Sequence, residues 1–362
     1  MQYLITVVLI IFPLVLKEKK WIRYIQILWL WILIGGCYLN VDTPGYKSVF
    51  DNIGTIKLTI EFFYNLICIV FLKLGLSYQS LVMFWAALFI FILDRGIVKL
   101  TDKPQAVYSF MYIFPLIDNI VQLKNFAAFA VLIFALHYLL EDDVKSIFKY
   151  ILCIAFATVQ HSAYIIYLLL VIIPFVRKNK RYMVIYVLTL PAITTILPQL
   201  INTVGRLVTT DAVVDLYLSS LPKFSTSFIL LIWQMSSLIL LCFFTRGNCA
   251  LVWKKQFSCR YNMKRHEEKV VELIILVNLC FLLICSLYFV DAIFQRLSRN
   301  LLVLDGIAYS ILWKYQQKTL EKYLQILIWI IFLFFSALAF YALSGNAWNS
   351  NKIALENNIF WR

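Results

Sequence analysis

Charged side chains are scarce in this chain: only 14% of its 362 residues are Asp, Glu, Lys or Arg, against about a quarter in soluble globular proteins. That shortage excludes water as the main solvent. Glycine is also sparse, at 10 residues, and no GxGxxG, P-loop, HExxH or GxSxG occurs in a fitting context, which excludes the familiar nucleotide, zinc-protease and serine-hydrolase chemistries. No CxxC or Cys/His spacing proposes a metal site. No period of roughly 20 to 50 residues recurs, so a solenoid is excluded. Nothing longer than a loop reads as a soluble domain, and the expected organisation is a single membrane domain over residues 1–362.

What the chain has instead is hydrophobicity: 62% of residues are hydrophobic, 17% are aromatic and the mean hydropathy is +0.83. Apolar runs of roughly 15 to 25 residues recur from end to end, and in lipid only helices or closed barrels satisfy their own backbone groups. The runs are continuous and lack strand alternation, so the expected fold class is all-α, a polytopic membrane protein of roughly 10–12 transmembrane helices with outer-face loops. Met1–Leu16 has neither a basic leading region nor a small-residue cleavage site and reads as a retained first span. Six of the eight cysteines, Cys37, Cys68, Cys153, Cys242, Cys280 and Cys285, fall in or beside apolar runs and read as small buried hydrophobes.

The formal charge of +14 invites comparison with nucleic-acid binders, but its distribution argues otherwise. Residues 17–23, 177–181, 245–269 and 314–322 hold 18 of the 33 Lys and Arg residues, all in short breaks between apolar runs. Positive-inside orientation places these breaks in the cytoplasm and NVDTPGYKSVFDNI (40–53), the 201–225 loop, DAIFQRLSR and the tail outside. Two arrangements fit residues 61–176: either 61–76 spans and 150–176 is one long helix, or 61–76 lies along the outer interface and the later run breaks near Gln160 and His161. The second is preferred because it puts DRGIVKLTDK and EDDVKSIFK inside.

Ionisable residues at or inside spans are costly, which marks them as functional candidates. Asp42, Lys47, Asp51, Lys124, His161, Arg296 and Arg299 all fall on the outer side of this topology. Each has a plain structural reading: Asp42 starts a DTPG turn, Lys124 snorkels, His161 is hydrogen-bonded in a bundle, and the arginines touch lipid phosphate. Together they offer a proton acceptor, carboxylates and cations. That set suits transfer from a phosphorylated lipid carrier, with a base activating a hydroxyl and cations stabilising the departing diphosphate.

Four short patterns carry a resemblance to the EpsG-type branch of the Wzy exopolysaccharide and capsular polysaccharide polymerases. They are Asp42 with Tyr46 after the second span; Glu61 opening an apolar stretch that ends in Leu-Gly; Gln122, Leu123, Lys124, Asn125 and Ala128, followed by His161-Ser162-Ala163; and Phe294, Arg296, Leu297, Ser298 and Arg299. The family usually has arginine where this chain has Lys124, which offers a point charge without the planar fork. The resemblance implies a membrane glycosyltransferase in the bacterial plasma membrane that joins undecaprenyl-diphosphate-linked oligosaccharide repeat units at the outer face. It implies no cofactor and no required metal, and work beside a flippase and a chain-length regulator. Under it, His161 or Asp42 is the base, Lys124, Arg299 and the catalytic Arg296 surround the diphosphate, and Gln122, Tyr46, Asp211 and Asp215 bind substrate. The alternatives are a transporter or flippase for the lipid-linked oligosaccharide and a polytopic acyltransferase for envelope sugars.

Overall fold

A computed structural model describes residues 1–16, 19–53, 61–179, 224–245, 263–289, 294–316, 319–343 and 353–361, with scattered positions between 181 and 203. Most of the described residues are helical and none lies in a strand; one isolated bridge joins Cys37 and Asn358. In chain order the helices are α1 (Gln2–Val15), α2 (Lys20–Gly36), α3 (Thr43–Asp51), α4 (Phe62–Lys73), α5 (Tyr78–Leu100), α6 (Pro104–Ile113), α7 (Leu116–Val121) and α8 (Leu123–Ala135). They continue as α9 (Val144–Thr158), α10 (Ile173–Lys178), α11 (Phe224–Phe244), α12 (Arg265–Cys280), α13 (Gln295–Arg299), α14 (Leu301–Tyr315) and α15 (Thr319–Leu343). Among the described residues five helical stretches are long and apolar enough to cross a membrane: Tyr78–Leu100, Leu123–Leu140, Ser225–Phe244, Arg265–Phe289 and Thr319–Phe340. The expected all-α polytopic membrane protein is therefore what the chain forms.

Several apolar runs are shorter or broken. Helix α4 has 12 residues, about 18 Å at the usual rise, too short for a hydrocarbon core of about 30 Å. The 150–176 run breaks where the preferred arrangement has it: α9 ends at Thr158, and a 3₁₀ segment runs from Ser162 to Ile172. The NVDTPGYKSVFDNI stretch, expected as a loop with a turn at Asp42, contains α3. Asn40 caps this helix, its Oδ1 accepting from the N–H groups of Asp42 and Thr43 at 3.0 Å each, so Pro44 and Gly45 fall in the first helical turn, where proline's missing donor costs nothing.

The chain divides into two compact units: Met1–His137 with Leu152–Ile165 and Ile326–Arg362, and Tyr138–Ile151 with Ile166–Gln325. In the first, α5 packs against α2 and α8. The α5–α8 crossing is close because Gly96 faces the α8 backbone: a Cβ there would lie 2.7 Å from the Phe134 nitrogen. Small residues permit such approaches where lipid supplies no hydrophobic drive between helices. One end of this unit gathers basic and acidic groups, with Arg23 paired to Asp94 at 3.5 Å and Lys99 donating to His137 Nε2 at 2.8 Å. The tail packs on α2 through Trp361 against Trp29 and Phe360 against Trp31, and the Asn358 amide donates to the Ile32 carbonyl at 2.8 Å.

In the second unit, the 3₁₀ stretch Phe281–Phe289 leaves backbone carbonyls that α11 satisfies. Gln234 donates to the Phe281 carbonyl at 3.0 Å and Ser227 to that of Tyr288 at 2.6 Å, while the Tyr288 hydroxyl donates to Gln234. Asp305 of α14 is fully buried and accepts from Ser237 at 2.5 Å and Asn278 at 2.7 Å, tying α11, α12 and α14 together. Cys37, Cys68, Cys153, Cys280 and Cys285 are free thiols, as expected; Cys242, expected to be another small buried hydrophobe, is disulfide-bonded.

Candidate active site

An acid that opens α4 organises the candidate site. Glu61 Oε1 accepts from His161 Nδ1 at 3.1 Å, from the Ser162 N–H at 2.9 Å and from the Ser162 hydroxyl at 2.9 Å. Its other oxygen, Oε2, accepts from Lys124 Nζ at 3.2 Å. The groups come from three distant stretches. The break between α9 and the 3₁₀ segment presents His161 and frees the Ser162 N–H, and the first turn of α8 presents Lys124. Glu61, Lys124 and His161 side chains are 20%, 18% and 29% exposed, so the cluster is recessed yet reachable.

Aromatic rings complete the wall around the lysine. The Lys124 ammonium lies 4.9 Å from the centre of the Tyr64 ring and 5.9 Å from that of Tyr46, within range of cation–π attraction. The two rings are 5.6 Å apart, and the Tyr64 hydroxyl donates to the Tyr46 carbonyl at 3.4 Å. Behind them, Tyr164 donates to the Asn125 side chain at 3.0 Å, and Asn125 donates to Gln122 Oε1 at 3.3 Å. These bonds fix the start of α8, where the Trp85 indole also donates to the Leu123 carbonyl at 3.1 Å.

Electrostatics favour an ionised Glu61, which precedes α4 and lies outside the spanning helices. Burial pushes its carboxyl up, but the His161 hydrogen bond, the charge the imidazole carries when protonated, the Lys124 ammonium and the Ser162 N–H outweigh that cost. The carboxyl is held below the usual carboxylate range. With Nδ1 donating to Glu61, the neutral imidazole keeps its lone pair on Nε2, the nitrogen then available as a base.

Of the residues picked out from the sequence, Lys124, His161 and Tyr46 meet at this cluster, and Gln122 supports it through Asn125. Lys124, given a snorkelling reading above, is instead held by Glu61 and two rings. Asp42 sits at the start of α3, one turn before Tyr46, whose N–H donates to the Asp42 carbonyl at 3.1 Å. Arg296 and Arg299 lie on α13 in the second unit; Arg299 is buried at 2% exposure, and Tyr167 donates to the neighbouring Leu297 carbonyl at 2.8 Å. Asp211 and Asp215 fall outside the described residues.

The sequence singles out Glu61 only as part of a pattern, although an acid at the mouth of an apolar run needs a partner and so signals one. Gln160 is fully buried, and neither of its side-chain polar atoms has a hydrogen-bond partner among the described residues. An unsatisfied buried polar group costs about 1–3 kcal/mol, which a buried water would offset.

The fold and this site define a polytopic membrane protein with a recessed acid–imidazole–ammonium cluster. The chain belongs to the EpsG family, whose family model matches residues 20–352, nearly the whole length. No curated protein and no solved structure matches it significantly. Among the described residues no group of three or more His, Cys, Asp or Glu is arranged to hold a metal ion.

Proposed function

We propose that this protein is a polysaccharide polymerase that joins lipid-diphosphate-linked oligosaccharide repeat units at the outer face of the plasma membrane. The observation that carries the reading is the 3.1 Å contact between His161 Nδ1 and Glu61, which turns Nε2 of the ring into a positioned proton acceptor. In this mechanism Nε2 takes the proton of the attacking sugar hydroxyl as its oxygen bonds to the anomeric carbon of the other unit. The bond from that carbon to the diphosphate oxygen breaks, and the lipid diphosphate departs with the electron pair. Glu61 then faces a charged imidazolium and stabilises it, and the Lys124 ammonium attracts the departing anion. Tyr46, whose ring flanks the Lys124 ammonium, is the group assigned to the sugar. Asp42 is kept as a second candidate base, and Arg296 and Arg299 as diphosphate ligands on their chemistry alone.

A strain lacking the protein is expected to accumulate single lipid-linked repeat units, and a His161→Ala copy is expected not to restore polymer. Full-length polymer in the deletion strain removes the reading. Translocation without lengthening by the reconstituted protein favours a transporter, and unchanged chain length with lost sugar acylation favours an acyltransferase.

Lys124 supplies a milder test. Arginine there keeps the positive charge beside Glu61 and adds a planar fork suited to phosphate oxygens. Lys124→Arg is expected to match or exceed the parent polymer yield, and Lys124→Met to lose most of it. Equal yields in all three proteins would take the ammonium out of the reaction.

A further inference from the structure

A groove of about 400 Å³ runs between α2 and α5 on the first unit, apart from the Glu61 cluster. Its two ends differ in chemistry. Arg23, Asp94 and Arg95 line one end, and Ile27, Leu28, Ala87 and Phe91 line the rest. From Arg23 to Trp31 the α2 wall covers about 12 Å at the helical rise. Leu28 and Phe91 are 54% and 57% exposed, so the groove opens sideways from the helix pair, where a membrane protein meets acyl chains.

The charged end is built rather than incidental. Asp94 accepts the Tyr108 hydroxyl at 3.2 Å, which anchors the carboxylate, and it lies 3.5 Å from Arg23 Nε as an ion pair. Arg23 lies 5.2 Å over the Tyr24 ring, and Arg95 lies 5.0 Å over the Phe91 ring at the margin of the groove. Two cations against one carboxylate leave one net positive charge where the apolar trough ends. The same end of the unit carries Lys19, Lys20, Lys99 and Lys103 together with Asp102, and the positive-inside rule assigns it to the cytoplasm.

We infer that this groove binds one anionic phospholipid of the cytoplasmic leaflet, its phosphate between Arg23 and Arg95 and an acyl chain along Ile27, Leu28, Ala87 and Phe91. Charge complementarity selects the headgroup, and the continuous apolar wall distinguishes a lipid from a free phosphate ion. The site stands independently of the polymerase reading, because it shares no residue with the Glu61 cluster.

Native mass spectrometry of the full-length protein, titrated with phosphatidylglycerol or phosphatidylcholine of matched chains, tests the inference. The parent protein is expected to retain one phosphatidylglycerol with about fivefold preference, the scale one net positive charge sets at an anionic surface. Arg23→Gln with Arg95→Gln is expected to abolish the preference. Ala87→Phe, which fills the trough and leaves the charge intact, is expected to abolish retention of the lipid. Lys145→Gln with Lys149→Gln, an equal loss of charge elsewhere, is expected to change nothing. Equal retention of both lipids, an unaffected arginine double variant, an equal loss in the lysine control, or displacement by inorganic phosphate would each overturn the inference.

Discussion

Glu61→Gln is expected to lower polymer yield on the order of 10²- to 10⁴-fold, the usual share of a positioned acid–base system, with the protein still present in the membrane. The two side chains are nearly isosteric, so the effect is one of donors and charge. Oε1 accepts three hydrogen bonds and Oε2 faces the Lys124 ammonium. A glutamine has one acceptor oxygen, and its amide N–H groups must then point at another donor, either the lysine or the imidazole Nδ1–H. The imidazole loses its fixed tautomer and Lys124 is left partly buried without its anion. Quantifying chain length and membrane protein level in one complemented strain separates this from misfolding. Normal yield would remove Glu61 from the mechanism.

The same carboxyl has a pH signature. Its folded-state value is depressed from the ordinary 4.5, so the stability it contributes is present above that value and is lost as pH falls through the lower folded value. Glu61→Gln is therefore expected to flatten the acid limb of a stability profile rather than the alkaline one.

Gly96→Ala is expected to destabilise the protein even though alanine is the better helix former by about 1 kcal/mol. The added Cβ would sit 2.7 Å from the Phe134 nitrogen and 2.8 Å from its Cα. Backbone cannot rotate away as a side chain does, so α5 and α8 must separate along their shared face. Overpacking of this kind costs about 1–3 kcal/mol, enough to reverse the propensity gain. Gly45→Ala provides the contrast, because a Cβ there meets nothing within 4 Å and the change should stabilise α3 by a few tenths to about 1 kcal/mol. Thermal unfolding in detergent should move in opposite directions for the two variants. A higher midpoint for Gly96→Ala would show that the crossing is looser than described.

The helical class was legible because long apolar runs with unsatisfied backbone have few alternatives in lipid. The break at His161 was legible for a related reason: Gln160, His161 and Ser162 interrupt an apolar run with groups that a continuous span would have to desolvate. The meeting of His161 with Lys124 followed from cost as well, since both need partners. What pattern reading missed was long-range. Glu61 is separated from its partner His161 by 100 positions, and no local spacing announces that pairing. Helix α3 was read as a turn because Asp, Pro and Gly in sequence suit one, whereas Asn40 upstream supplies the cap that makes the segment helical. The tail's aromatic packing on Trp29 and Trp31 has no periodic signature, because ring contacts across more than 300 residues depend on the finished fold.

The central claim is that His161, held by Glu61, removes the proton from the attacking hydroxyl. Its most direct measurement is chain lengthening by purified protein in vesicles supplied with synthetic lipid-diphosphate-linked repeat units, followed by mass spectrometry. The parent protein should produce a ladder of joined units, while His161→Ala and Glu61→Gln should leave the supplied single units intact. A parent-like ladder from either variant would contradict the account.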